Sequence, residues 1–407
     1  MTTQADTRGT ASASILTVNG GSSSIKFALY RIGTRLERSL YGGIERIGLP
    51  DARFAVRDLA RNEKSDRTVH AANHRAAADR LIDWLDGRMD TITAVGHRVV
   101  HGMAHTEPEV VTPGLLDDLH RMIACNPAHL PYEIDLIERL RERYPELPQI
   151  ACFDTAFHRT LPRVARLLPI PRRYDAQGVR RYGFHGLSYA YLIEELERIA
   201  GTAAAHGRVI LAHLGNGASM AAVHEGKSLD TSMGFTPAGG LPMGSRPGDL
   251  DPGVAWHLMR AGSLSPDQFN DLVNQECGLI GVSEISADMR DLTARAATDV
   301  RAAEAVALFC YHAKKWLGAF AAALGGLDTL VFAGGIGENS PHVRARICAG
   351  LEFLGIAIDA ARNERNADVI SADTGRVVVR VMRTDEESMI AKSVCRTLGL
   401  AMESNAP

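Results

Sequence analysis

Ile15-Leu16-Thr17-Val18-Asn19-Gly20-Gly21-Ser22-Ser23-Ser24-Ile25-Lys26-Phe27-Ala28-Leu29-Tyr30 is an apolar run, a polar break and a second apolar run. β-Branched and apolar residues on either side of a Gly/Ser cluster read as strand, tight turn, strand. The pattern returns at Val209: Val209 to Ala212 leads into His213-Leu214-Gly215-Asn216-Gly217-Ala218-Ser219, and Met220 to Val223 resumes the apolar run. The likeness is one of architecture rather than of letters, and it points to internal duplication. A third Gly-rich segment, Gly334-Gly335-Ile336-Gly337-Glu338-Asn339, follows the apolar run Thr329 to Ala333 and reads as a third turn after a buried strand. Ser340 and Pro341 then open a helix, Ser340 as N-cap and Pro341 in the first turn. Apolar residues at near-helical spacing mark Ala303 to Leu324 (Val306, Phe309, Cys310, Ala313, Leu317, Phe320) and Tyr189 to Ile199 as helices. Strands alternating with helices make an α/β protein. Without a Pro- or Ser-rich linker, two lobes packed around a cleft fit better than separate beads. Arg53 to Asp90 is charged and weakly patterned, and no role can be assigned to it.

The 407 residues are enough for two or three domains with ample core. Hydrophobic residues at 45% and charged residues at 23% exclude a disordered or fibrous chain. With 45 Lys+Arg against 48 Asp+Glu and no basic run, there is no electrostatic footprint for nucleic acid. The longest apolar stretch, Leu317 to Leu327, falls short of the ~20 residues that span a bilayer. Residues 1–14 lack a basic start and an apolar run, so they read as a flexible extension rather than a secretory signal. The six cysteines are scattered without a CxxC, which fits a cytoplasmic enzyme with reduced thiols.

A Gly/Ser turn between strands exposes backbone N–H groups that can cradle phosphate oxygens, although a single Asn-Gly-Gly also makes an ordinary hairpin. Three such segments favour a phosphate clamp, and none is a Walker P-loop or a GxGxxG. Arg98, in Gly96-His97-Arg98-Val99-Val100-His101-Gly102, sits among apolar neighbours, where a guanidinium needs an anionic partner. Arg246 lies in a Gly/Pro-rich loop able to present a cation to a cleft, and either arginine taken alone reads rather as a structural ion-pair member. Asp154 ends the buried strand Ile150 to Phe153, at the strand end where α/β sheets bind ligands. His185 is set in Tyr182-Gly183-Phe184-His185-Gly186 with room to reach a ligand, or to pack. Glu386 and Glu387 read as a helix start or as surface charge.

Together these segments resemble the acetokinase family, the acetate kinases of the acetate and sugar kinase, Hsp70 and actin superfamily. The likeness runs from Ile15 to Leu398 through NGGSSSIKF, GHRVVHG, FDTAFH, RYGFHGLS, HLGNGAS, DTSMGFTP, MGSRPGDLDP, FAGGIGEN and TDEE. It implies a duplicated ribonuclease H-like fold of the actin and Hsp70 type, two βββαβαβα lobes around a nucleotide cleft, usually in a homodimer. The lobes would be 15–154 with 387–407, for metal, phosphate and acyl substrate, and 155–386, for adenosine and dimerisation. The implied reaction is reversible phosphoryl transfer from ATP to acetate, giving ADP and acetyl phosphate, with propionate or butyrate as alternative acceptors. A non-catalytic ATP clamp of the actin type would lack the two arginines.

Carried over residue by residue, the resemblance implies that Asn19 and Glu386 help place Mg²⁺ or Mn²⁺ and that Lys26 lies near the phosphates. Arg98 and Arg246 would hold the carboxylate and the phosphoryl group in transfer, His185 would donate to that group, and Asp154 would fill an essential acidic role. Val100, Phe184 and Pro237 would wall the acyl pocket. His213, Leu214, Gly215, Asn216 and Gly217 would form the second phosphate turn; Asp288, Met289 and Arg290 with Gly335, Ile336, Gly337, Glu338 and Asn339 would hold the adenosine end. The chain departs from the family at Ile123-Ala124-Cys125-Asn126-Pro127, where Pro-Leu-His-Asn-Pro is usual, and at Tyr189, where histidine is usual. The lost leucine at Ala124 suggests a pocket with space for one further methylene.

Overall fold

The computed structural model describes residues 13–21, 23–127 and 129–400. The chain forms two compact units: the first runs to Phe153 and resumes at Glu386, and the second is Asp154–Asp385. By these contacts Asp154 belongs with the second unit and Glu386 with the first, the reverse of their expected grouping.

The first unit holds strands β1 (Ser14–Gly20), β2 (Ser24–Ile32), β3 (Leu36–Glu45), β4 (Arg53–Asp58), β5 (Glu63–Thr68), β6 (Ile92–Val99), β7 (Glu109–Val110) and β8 (Gln149–Phe153). Among the described residues they form one sheet in the order β5-β4-β3-β2-β1-β6-β8-β7. β1 pairs antiparallel with β2 and parallel with β6, and β6 pairs parallel with β8. The expected extension ends earlier than Ser14: that residue is buried and already paired with Arg31, while residues 1–12 lie outside the described part. The segment 53–90 resolves into the hairpin β4–β5 and helix α1 (His74–Leu85). All six residues of β5 are exposed, which is why its sequence carries no alternation. The core beneath this sheet includes the rings of Phe27, Phe54 and Trp84, with centroids 5.2–6.0 Å apart.

The second unit repeats the plan with β9 (Val209–Leu214), β10 (Ala218–His224), β11 (Lys227–Thr231), β12 (Thr329–Ala333) and β13 (Val378–Val381), ordered β11-β10-β9-β12-β13. β9 is antiparallel to β10 and parallel to β12, and β12 is parallel to β13. Strand for strand this matches β3-β2-β1-β6-β8, so the duplication inferred from two apolar–turn–apolar segments extends to both sheets.

Helices complete the layers. α2 (Leu130–Arg143) lies in the first unit; α3 (Gly186–Ala200), α4 (Pro252–Ala261), α5 (Val300–Ala323), α6 (Gly334–Asn339) and α7 (Pro341–Cys348) lie in the second. α8 (Glu386–Leu398) returns to the first unit and packs on β1 and β6. Gly96 on β6 permits that approach, since a Cβ there would collide with Ile390 and Val394. The third Gly-rich segment differs from expectation: α6 is a short helix, not an open turn. Gly334, at φ +75°, turns the chain directly from β12 into it, where a Cβ would lie 2.7 Å from the Leu214 carbonyl oxygen. Ser340 caps α7, its hydroxyl accepting from the Val343 N–H.

Candidate active site

In the first unit, three of the expected residues meet at one end of the β1–β2 hairpin. Asn19 and Lys26 are cross-strand partners, and Asn19 Nδ2 donates to Glu386 Oε2 at 3.1 Å at the first residue of α8. The Asn19 amide and the Glu386 carboxylate therefore bring oxygen donors to one place, while Lys26 is exposed. No group of three or more His, Cys, Asp or Glu able to hold a metal occurs among the described residues. Such a pair suits Mg²⁺, which keeps waters and takes phosphate oxygens beside one or two protein ligands.

Arg98 follows from β6, and its anionic partner is Glu133 of α2. Arg98 Nη1 donates to Glu133 Oε1 at 3.1 Å, and the Val100 N–H donates to Glu133 Oε2 at 2.9 Å. One carboxylate, with its side chain only 1% exposed, thus fixes both the guanidinium and the turn that carries buried Val100. Sequence reasoning missed Glu133. The available signal was an acid on the apolar face of an amphipathic helix, among Leu130, Ile134 and Ile137. Ala124 is exposed on the 3₁₀ turn Ile123–Cys125, and the Cys125 thiol points at Met103 Sδ, 3.9 Å away.

In the second unit, His185 is the N-cap residue of α3, in the left-handed region at φ 59°. Its ring stacks on that of His213, with centroids 4.2 Å apart and planes at 24°. His213 Nδ1 is hydrogen-bonded to Ser188 Oγ at 2.8 Å, and that hydroxyl to Thr384 Oγ1 at 2.7 Å. Gly217 reports where His185 points: a Cβ there would lie 3.3 Å from His185 Nε2 and 3.4 Å from Arg246 Nη2. A histidine edge and a guanidinium thus converge on the bare backbone of the β9–β10 turn. Arg246 is held by its Nη1, which donates to the Pro237 carbonyl at 2.7 Å.

The approach to His185 is pinned from behind. The Asp154 carbonyl, fully buried, accepts from the Gly186 N–H at 2.8 Å. The Phe184 carbonyl accepts from His158 Nε2 at 3.0 Å, so His158 Nδ1 accepts from the Ser228 hydroxyl at 2.8 Å. Burial pushes the His158 imidazole down to about 4, in keeping with this neutral form. His158 is a second residue that sequence reasoning missed.

A cavity of about 1370 Å³ occupies the same unit, ample for a nucleotide. Gly215, Asn216, Asp288, Met289, Arg290, Gly335, Ile336 and Asn339 line it. Leu214, Gly337 and Glu338 do not: Leu214 and Gly337 are buried beneath, and Glu338 Oε1 accepts from the Gly334 N–H at 3.1 Å. The turn's ends, His213 and Gly217, face His185 instead. The Asp288 carboxylate caps the short helix Met289–Arg295 and pairs with Arg290 at 2.5 Å, the guanidinium holding it below the usual carboxylate range.

Two α/β units sharing one strand order, a nucleotide-sized cavity, and a guanidinium and an imidazole gathered at a glycine turn define a phosphoryl-transfer enzyme. The acetokinase family model matches residues 14–392. An acetate kinase of Methylocella silvestris is 46% identical over 392 residues, covering 93% of this chain and 96% of that protein. A propionate kinase of Citrobacter rodentium is 43% identical over 392 residues, covering 94% and 96%. The crystal structure of Porphyromonas gingivalis acetate kinase superimposes with a TM-score of 0.84 at 36% identity, over 95% of this chain and all of that one. The chain belongs to the acetokinase family. It is a phosphotransferase with a carboxyl group as acceptor, built on the duplicated ribonuclease H-like fold of the actin and Hsp70 type.

Proposed function

We propose that the protein transfers the γ-phosphoryl group of ATP to acetate, reversibly, giving ADP and acetyl phosphate. The observation that carries this reading is the convergence of His185 Nε2 and Arg246 Nη2 on Gly217, in a chain of this family. Acetate is ionised at neutral pH and needs no general base. One of its oxygens bonds to the γ-phosphorus as the bond to the ADP oxygen breaks, and the obstacle is repulsion between anions. Arg98 and Arg246 offset that repulsion, and His185 donates a hydrogen bond from Nε2 to the phosphoryl oxygens. The 213–217 turn and Lys26 hold the phosphates, while the 288–290 and 335–339 segments line the adenosine end. Asp154 orients rather than abstracts a proton. Asn19 and Glu386 would hold Mg²⁺, which when bound neutralises phosphate charge. On this reading the first unit serves metal and acyl group, with Val100, and the second serves nucleotide, with Phe184 and Pro237 beside His185.

The same reading makes the protein a cytoplasmic homodimer. Trp256 of α4 is 61% exposed, no residue of α4 is buried, and Tyr311 of α5 is 61% exposed, as suits faces that a second copy covers. Among the described residues no helix is long and apolar enough to cross a membrane. Hydroxamate trapping of the acyl phosphate with ATP, Mg²⁺ and C2 to C4 carboxylates tests the reaction. Acetate should give the highest kcat/KM, and no product with any carboxylate would refute it.

A further inference from the structure

Behind the outward edge of His185 lies a chain of buried hydroxyls. His185 Nδ1 is 2.8 Å from Ser219 Oγ, and the same Oγ is 2.5 Å from the Tyr189 hydroxyl. Ser219 and Tyr189 are both fully buried. Tyr189 lies one turn along α3 from His185, and Ser219 lies on β10 opposite His213, so both come from elements that already frame the ring. The Tyr189 ring is walled by Phe157 and His158, with centroids 5.9 and 5.7 Å away. Among the described residues, Ser219 Oγ is the hydrogen-bond partner of its hydroxyl.

Those contacts fix the direction of every proton in the chain. A buried hydroxyl with one partner donates to it, because leaving a buried donor unmade costs about 1–3 kcal/mol. The phenol therefore donates to Ser219 Oγ. Ser219 has a single hydrogen, and it goes to the remaining partner, His185 Nδ1. An imidazole that accepts at Nδ1 carries its proton on Nε2, the nitrogen that faces Gly217 and Arg246. Burial keeps the Tyr189 phenol protonated by raising its titration far above neutral, so the chain does not reverse.

We propose that Tyr189 and Ser219 are positioning residues that lock His185 as the neutral Nε2–H tautomer, presenting a fixed hydrogen-bond donor to the transferring phosphoryl group. The proposal rests on the reading of His185 as that donor. It also gives a role to the tyrosine that stands where the family usually has histidine: a phenol has one hydrogen and imposes one direction.

The test uses the full chain labelled with ¹⁵N-histidine, with the His185 ring signals assigned through His185→Gln. Long-range ¹⁵N–¹H spectra should show Nδ1 unprotonated and Nε2 protonated in the unmodified protein. Tyr189→Phe removes one oxygen and frees the Ser219 hydrogen, so His185 should populate both tautomers. Turnover should then fall about 3- to 10-fold with KM for ATP and acetate unchanged, short of the ~10²–10³-fold expected for removing a donor outright. Ser219→Ala should give the same mixture at His185. An unchanged His185 pattern in both variants overturns the relay, and a changed pattern with unaltered kcat overturns its part in transfer. Near-normal turnover in His185→Ala, which leaves no donor, would overturn the donor reading instead, while the tautomer pattern in Tyr189→Phe still decides the relay.

Discussion

At the scale of single residues, charge is placed by short polar contacts that bring together distant parts of the chain. Gly217 is the most exposed to test, because it is not in the left-handed region and its substitution strains no backbone. Gly217→Ala puts a methyl group into the space shared by His185 Nε2 and Arg246 Nη2, at 3.3 and 3.4 Å. Stability should change by less than about 1 kcal/mol, while kcat falls at least 10²-fold, the scale for a lost oxyanion donor. Thermal melts and steady-state rates on one preparation check both halves. Glu133→Gln tests the other unit. The amide keeps an acceptor for the Val100 N–H but leaves the Arg98 guanidinium without its counter-charge. Breaking such a pair should cost about 3 kcal/mol, read as a lower urea midpoint, with KM for acetate raised and KM for ATP unchanged. The roles expected of Arg98, Arg246 and His185 come from the family motifs, and flanking glycines and apolar runs marked these residues in the sequence. Glu133, His158 and Ser219 were not legible. Their partners lie 35, 26 and 34 residues away, and nothing in local spacing records a contact of that kind.

At the scale of elements, the strands of both sheets read clearly where both faces are buried. β8, β9 and β12 have no exposed residue, and buried strands appear as unbroken apolar runs. β4 and β5 escaped because a hairpin at the sheet's outer edge needs neither alternation nor a run. The sequence of α6 reads as a turn because six residues with three glycines lack helix propensity. Tertiary contact decides there, through Gly334 beneath Leu214 and the Glu338 side chain closing on the Gly334 N–H. The junction of β6 with α8 yields a further expectation. Gly96→Ala sets a methyl group against Ile390 and Val394, displacing the helix whose first residue is Glu386. Overpacking of this kind should cost about 1–3 kcal/mol. The Mg²⁺ requirement should rise as Asn19 and Glu386 separate, measured as a higher Mg²⁺ concentration for half-maximal rate. An unchanged Mg²⁺ dependence would uncouple the helix from the metal ligands.

At the scale of the whole molecule, each unit holds a fully buried neutral histidine. His97 donates from Nε2 to Gln149 Oε1 at 2.7 Å in the first unit, and His158 lies behind Phe184 in the second. Burial lowers each from 6.5 to about 4. Unfolded histidines take up protons near pH 6.5 while the folded ones stay neutral to about pH 4, so stability is constant above about 6.5 and declines as pH falls between those values. Each should contribute a loss of about 3 kcal/mol once the decline is complete. Urea midpoints between pH 8 and pH 4 should fall on the acid side. His158→Gln should flatten the part of that fall belonging to the second unit, and a slope unaffected by both His97→Gln and His158→Gln would reject the assignment.

The return of α8 to the first sheet has a consequence for synthesis on the ribosome. β1, β2 and β6 are made early, yet the helix that covers Gly96 is translated only after all of Asp154–Asp385. At roughly 5–20 residues per second the uncovered face waits on the order of ten seconds or more. During that wait the face of β6 at Gly96 lacks the Ile390 and Val394 side chains that cover it in the folded chain. The second unit, contiguous in sequence, has every strand of its own sheet once β13 emerges, before α8 is made.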